Sequence, residues 1–457
     1  GQPQRSYPPT CYDLSMAEVK IPRRLSTAIL NSLSAGVVPR VGLEYIAVGR
    51  KDEIAALLSD LENIASGGAA FRFLIGRYGS GKSFMLQLLR NYALERNFVV
   101  ADVDLSLERR LCGSNGEGLA TYREAMHNLS TKTRPDGGAL VAVLERWISD
   151  VLALVQRESS LDPASPEFGS KVNNRILELA SSMEGLVHGF DFATVLSSYW
   201  RGYQESNDEK KEAALRWLRG EFTTKTEARQ ALGVRVIVDD NSWYDTLKLL
   251  ANFVTTVGYQ GLLFLLDEAA NLYKIAHTIS RANNYEKLLT LFNDTLQGKA
   301  ERLGILVGGT SQFLEDPRRG LYSYEALRTR LQESRFRQDG LKDTSGPILR
   351  LQVLSHEEIF VLLTRLSNVY SIHHGLPASL SASQIQTFMQ EVVNRLGAQE
   401  LLTPREVVRD FLAVLDLLRQ NPQITFEQLL QGADFKPTTQ GQDPEQESSA
   451  QFAEFKL

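Results

Sequence analysis

"GRYGSGKSFM", residues 76–85, sets three glycines, a lysine and a serine between two apolar runs. Upstream, Phe71-Arg72-Phe73-Leu74-Ile75 has the composition of a short buried strand. Downstream, Met85, Leu88, Leu89 and Tyr92 recur at i, i+3, i+4 and i+7, the spacing of an amphipathic helix. The glycine stretch therefore turns a strand into a helix, and a helix N-terminus is a ready anion site. The spacing Gly76-x-x-x-x-Gly81-Lys82-Ser83 fits the P-loop pattern, with Arg77, Tyr78, Gly79 and Ser80 at the variable positions. Without Cβ atoms, backbone N–H groups can curl around a phosphate. Lys82 can neutralise β- and γ-phosphate oxygens, and the Ser83 hydroxyl can ligate Mg²⁺. A chance glycine-rich turn would need no partner motifs; a nucleoside triphosphate site does.

The apolar run Gly261-Leu262-Leu263-Phe264-Leu265-Leu266 ends in Asp267-Glu268. At a strand end, the Asp267 carboxylate can hold magnesium through water while Glu268 polarises an attacking water. A merely solvated acidic terminus is the plain alternative. Thr310 closes Ile305-Leu306-Val307-Gly308-Gly309, a strand expected beside that of Asp267; its hydroxyl can orient the same water, and a plain polar strand end is the alternative. Phe98–Asp104 and Ile348–Leu354 complete the strand candidates. Continuous apolar strands interleaved with helices argue a mainly parallel sheet covered on both faces. Two strand–helix–strand units between Lys82 and Asp267 need only ~60–70 residues, so about a hundred are surplus and form a helical insertion.

Arg318, Arg319, Arg328, Arg330, Arg335 and Arg337 cluster within residues 316–338. Arg328 and Arg330 fall on a short expected helix, Tyr324–Leu331. An arginine offered to a neighbouring subunit's nucleotide accelerates hydrolysis by ~10³–10⁵. A phosphate-contacting strip for nucleic acid and a solvated basic face remain as alternatives. Arg405 occupies the second position of a helix started by Thr403-Pro404-Arg405-Glu406, where a cation opposes the helix dipole. A phosphate counter-charge is a motive for that placement, and a surface arginine that simply tolerates the cost is the alternative.

The 457 residues are 43% hydrophobic and 23% charged, with a net charge of −5. That composition is globular, and the charge argues against wholesale coating of nucleic acid. No apolar run reaches the ~18–20 residues of a membrane span, and residues 1–15 show no charged-then-apolar leader, so a cytoplasmic protein without a membrane partner is expected. Cys11 and Cys112 are the only cysteines, which suits a reducing compartment. His373-His374 lies in a polar, turn-like stretch and is expected to be solvated. The segments expected are a loose arm over 1–20, a first core piece over 21–112 that is helical to 66 except for a break at Gly36–Pro39, an insertion over 113–235, a second core piece over 236–354, a helical block over 355–433 and a disordered tail over 434–457.

The stretches "AGVVPRVGLEYIAVGRKDE", "FLIGRYGSGKSFMLQLLRNYALERNFVVADVDLS", "GLLFLLDEAANLYK", "DPRRGLYSYEALRTRL" and "LLTPREVV" resemble AAA+ ATPases of the origin-recognition and helicase-loader type. More narrowly, they are similar to the ATP-binding-domain family of bacterial BREX phage-defence systems. That resemblance implies a three-layer α/β sandwich with a helical lid at 355–433, binding ATP and Mg²⁺. Gly76–Ser83 would be Walker A, Asp267 and Glu268 Walker B, and Thr310 sensor 1. Loaders commonly carry asparagine at sensor 1, so Ser311 or Gln312 stands as an alternative. Arg328 or Arg330 would be the trans-acting finger, Arg405 sensor 2, and Gly49-Arg50 part of the adenine-side pocket. Loaders usually add a winged-helix domain after the lid, and the tail here cannot form one. The expected activity is ATP hydrolysis by a homo-oligomer that remodels or loads a DNA-acting protein partner, such as a helicase, with nucleic acid engaged directly or through that partner. A slow nucleotide-dependent switch or scaffold is the alternative. A P-loop kinase or transferase lacks any evident acceptor motif.

Overall fold

A computed structural model describes residues 20–332, 343–377, 380–396, 404–432 and 437. Residues 1–19 of the expected arm with Cys11, together with Arg335, Arg337, Thr403 and all of the tail but Pro437, fall outside the described residues. In chain order the elements are α1 (Arg23–Ser34), α2 (Lys51–Ala65), β1 (Ala69–Ile75), α3 (Lys82–Glu95), β2 (Val99–Asp104), α4 (Glu117–His127), α5 (Leu140–Ser159), α6 (Pro166–Ser181), α7 (Gly189–Gln204), α8 (Asp208–Leu218), α9 (Lys225–Leu232) and α10 (Trp243–Val257). There follow β3 (Leu262–Asp267), α11 (Ala270–Tyr273), α12 (Thr278–Leu296), β4 (Leu303–Gly309), α13 (Ser311–Glu315), α14 (Glu325–Leu331), β5 (Ile348–Arg350), α15 (His356–His374), α16 (Ala382–Leu396), α17 (Pro404–Gln420) and α18 (Phe426–Gln431). Two compact units result. One comprises the described parts of Gly1–Ala55, Gly76–Leu88 and Arg350–Leu457; the other comprises those of Ala56–Ile75 and Leu89–Leu349.

The second unit holds a five-stranded parallel sheet in the order β2-β3-β4-β1-β5. Its strands are mainly apolar, as strands covered on both faces are, with half-buried Arg72 inside β1 and Asp102 inside β2 as interruptions; Leu262–Leu266 are at most 2% exposed. The register aligns the carboxyl ends: Asp104 lies opposite Asp267, Leu266 opposite Val307, and Ile75 opposite Gly309. Close helix packing on this sheet requires small residues. A Cβ on Gly304 would stand 2.5 Å from Ile64 Cδ1, and one on Gly261 2.7 Å from Ile64 Cγ2.

Helices α4–α9 share one hydrophobic core with the sheet rather than forming a core of their own. The link is α10. Its Phe253 meets Trp147 edge-on at 5.2 Å and Phe192 at 6.1 Å, and Phe192 in turn meets Trp217 at 6.3 Å. At the start of the same helix Trp243 lies 6.2 Å from Phe264 of β3. Two buried indole N–H groups donate to carbonyls, Trp217 to Val236 O and Trp243 to Leu111 O, whereas Trp147 buries its Nε1 with no hydrogen-bond partner among the described residues. Arg90, 2% exposed, donates to Ser130 Oγ and Pro135 O beside the Asp102 carboxylate, which ties α3 to β2 and the loop after α4.

In the first unit α1 packs on α15 and α17, and α16 on α15 and α18. Ser355 and Glu358 close a reciprocal capping box at the start of α15. Several details differ from the sequence expectation. Between Gly36 and Arg50 the only helical turn is the 3-10 turn Leu43–Tyr45, because Gly42 and Gly49 adopt left-handed φ of +77° and +74°. His373 and His374 are not in a turn but in the last turn of α15, which runs on until Gly375 at φ +63°. His373 Nδ1 sits 2.8 Å from Ser26 Oγ of α1. The strand expected over Ile348–Leu354 ends at Arg350, and the Gln352 carbonyl accepts from a side chain instead of a ladder partner.

Candidate functional site

In the first unit the glycine stretch is a loop ending in the N-terminus of α3. Gly81 has φ +93° with nothing within 4 Å of where a Cβ would stand, so glycine is demanded there by the backbone alone. Gly76 is demanded by space, since a Cβ would strike Ser80 Oγ and approach Leu351 O to 3.1 Å. Lys82 opens α3 and folds back over the loop. Its Nζ donates to Gly76 O at 2.6 Å and Arg77 O at 3.2 Å. Ser83 follows in the first turn.

Two segments from elsewhere in the same unit seize this loop. Arg50, 7% exposed, donates through Nη2 to Ser80 O and to Gln352 O, each at 2.6 Å. Gly49 precedes it in a left-handed conformation, seated so that a Cβ would strike the Glu358 carboxylate. From α17, Arg405 Nη1 donates to the Tyr78 hydroxyl at 2.9 Å, and its guanidinium carbon lies 5.5 Å from the Tyr78 ring centroid.

In the second unit Asp267, Glu268 and Thr310 stand on the carboxyl edge of the sheet, the side where ligands bind open α/β folds. Asp267 Oδ1 accepts from the Glu268 N–H at 2.8 Å. Glu268 itself has φ +57°, a strained value for a non-glycine residue, and the next residue, Ala269, donates its N–H to Gly308 O. Thr310 caps α13, its Oγ1 accepting from the Phe313 N–H at 3.2 Å. Gln312 buries its Oε1 with no hydrogen-bond partner among the described residues.

Asp104 escaped the sequence analysis, although an acid following buried Val103 at a strand end is a legible signal. Partial burial and then the neighbouring Asp267 carboxylate push its pKa up. The Asp267 carboxylate is a hard oxygen donor of the kind that Mg²⁺ takes. The arginine cluster divides. Arg319 donates to Tyr273 O at 3.0 Å and Ile275 O at 3.1 Å, a structural engagement. Asp316 accepts from the Arg318 and Arg319 N–H groups and the Tyr273 hydroxyl. Burial opposes its ionisation, but those donors hold the carboxyl below its usual range. Arg328 and Arg330 are exposed on α14, Arg328 with Glu325 at 3.9 Å.

A parallel sheet of this order, left through a glycine loop at the end of β1, defines a P-loop α/β sandwich. No helix among the described residues is long and apolar enough to cross a membrane. The chain belongs to the family described as BREX system ATP-binding protein BrxC/D, whose profile matches residues 21–434. It is thus a member of an ATP-binding family of BREX phage defence. No curated relative matches the chain.

Proposed function

We propose that this protein is an AAA+ ATPase that hydrolyses Mg-ATP and, as a homo-oligomer, remodels or loads a DNA-acting, helicase-like partner in anti-phage defence. The supporting observation is the loop at 76–83, held by Arg50 and met by Arg405, in a chain whose family binds ATP. The backbone N–H groups of the loop and Lys82 take the phosphates, with Gly49 and Arg50 on the adenine side. Ser83 and Asp267 hold the metal, which when bound neutralises phosphate charge. Glu268 draws a proton from the attacking water, and Thr310, or Ser311 or Gln312 beside it, orients that water. Arg405 addresses the terminal phosphate, and Arg328 or Arg330 reaches a neighbouring copy's nucleotide.

Glu268→Gln is the test. It should bind ATP as the wild type does and release phosphate about 10²–10⁴-fold more slowly. Unchanged phosphate release would remove Glu268 from its role.

A further inference from the structure

The geometry points to Tyr78 as the residue that positions Arg405 over the phosphate loop. The inference rests on the ATP-binding reading above and adds a residue to it. Between the glycines of a P-loop only backbone N–H groups are needed, so phosphate binding leaves the side chains there unspecified. This chain puts a tyrosine at one of those positions, half-buried, with its hydroxyl 2.9 Å from Arg405 Nη1 and its ring 5.5 Å from the guanidinium carbon. One cation therefore engages both the hydroxyl and the ring.

Arg405 needs such a partner. It is the second residue of α17, where the helix dipole disfavours a cation. It is exposed, and an exposed arginine has many rotamers to lose. Among the described residues the bond to Tyr78 is the only hydrogen bond its side chain makes. A phenol oxygen that accepts a hydrogen bond keeps its own proton as a donor. Tyr78 can thus accept from Arg405 and donate to an anionic oxygen at once, a short relay from the α17 cation into the loop. Phenylalanine at 78 retains the ring and loses both halves of that relay.

The test is isothermal titration of the full chain with ATP and with ADP, each with Mg²⁺, for wild type, Tyr78→Phe, Arg405→Met and the double variant. Tyr78→Phe should weaken ATP about fivefold, or ~1 kcal/mol, and ADP less than about twofold, because Arg405 addresses the terminal phosphate. The double variant should lose less ATP affinity than the two single losses multiplied, since part of what the hydroxyl does runs through the arginine. Wild-type affinity in Tyr78→Phe, or a double variant weakened by both factors multiplied, overturns the assignment while leaving ATP binding intact. A wild-type chain that takes up no ATP overturns both. Arg405→Met changes an exposed residue, and if Tyr78→Phe folds poorly Arg405→Met should still weaken ATP while leaving ADP within about twofold; unchanged ATP affinity in Arg405→Met overturns the assignment.

Discussion

Replacing Arg50 by methionine isolates what its guanidinium does, because methionine keeps the length and apolar stem of the side chain. Two hydrogen bonds of 2.6 Å disappear, one to the Ser80 carbonyl inside the loop and one to the Gln352 carbonyl beyond β5. Bonds from a charged donor contribute about 1.5–3 kcal/mol each. The lower figure applies to both, since a carbonyl released from the arginine can recruit water, which gives about 3 kcal/mol for the pair. If that energy holds the loop in its binding form, ATP affinity should fall by about 100-fold. A backbone brace cannot sense the base, so GTP affinity should fall by the same factor. An arginine that reads adenine would instead lower ATP affinity and leave GTP alone. Arg50→Lys, a point charge that cannot fork, should land between, at about tenfold. Displacement of a fluorescent ATP analogue by ATP and GTP, alongside thermal melting, measures all of this. An Arg50→Met protein that binds ATP within about twofold of wild type with an unchanged melting temperature would refute the bracing role.

Either Arg328→Ala or Arg330→Ala should cut turnover by about 10³ and abolish any rise of specific activity with protein concentration. Mixing that variant with Glu268→Gln subunits should restore part of the activity, since each subunit supplies what the other lacks. Activity that stays near zero at every wild-type concentration would support a nucleotide-dependent switch. Asp316 ionises more readily when folded, so its contribution is complete above the usual carboxylate pKa of about 4 and vanishes as pH falls through the lower folded value. The gap in urea midpoint between wild type and Asp316→Asn should therefore be widest near neutrality and close in acid.

The architecture was legible wherever one segment carried its own signal. A strand, a glycine loop and an apolar-periodic helix announced the P-loop fold. The uninterrupted apolar run before Asp267 announced a strand covered on both faces. What stayed hidden depends on residues far apart in the chain. No spacing in the sequence shows that Arg50 bonds to Gln352 O, which takes up a carbonyl in the stretch expected to extend β5. Tyr78 and Arg405 likewise meet only once the chain is folded. Thr310 shows a second kind of limit: a hydroxyl at a strand end is equally suited to water and to capping, and here it caps α13. The helix end at His374 was missed because two histidines look polar, whereas one of them docks on Ser26.

The rings of Trp147, Phe192, Trp217 and Phe253 also bear on how this protein can be taken apart. An accessory lobe on a hinge can be deleted by joining its two stems. Here Phe253 shares its helix with Trp243, which rests on β3 itself, so excision of residues 113–235 would strip aromatic neighbours from a helix the sheet depends on. A shortened version designed on the assumption of a detachable module would emerge insoluble, unless the uncovered side of α10 were redesigned as surface at the same time.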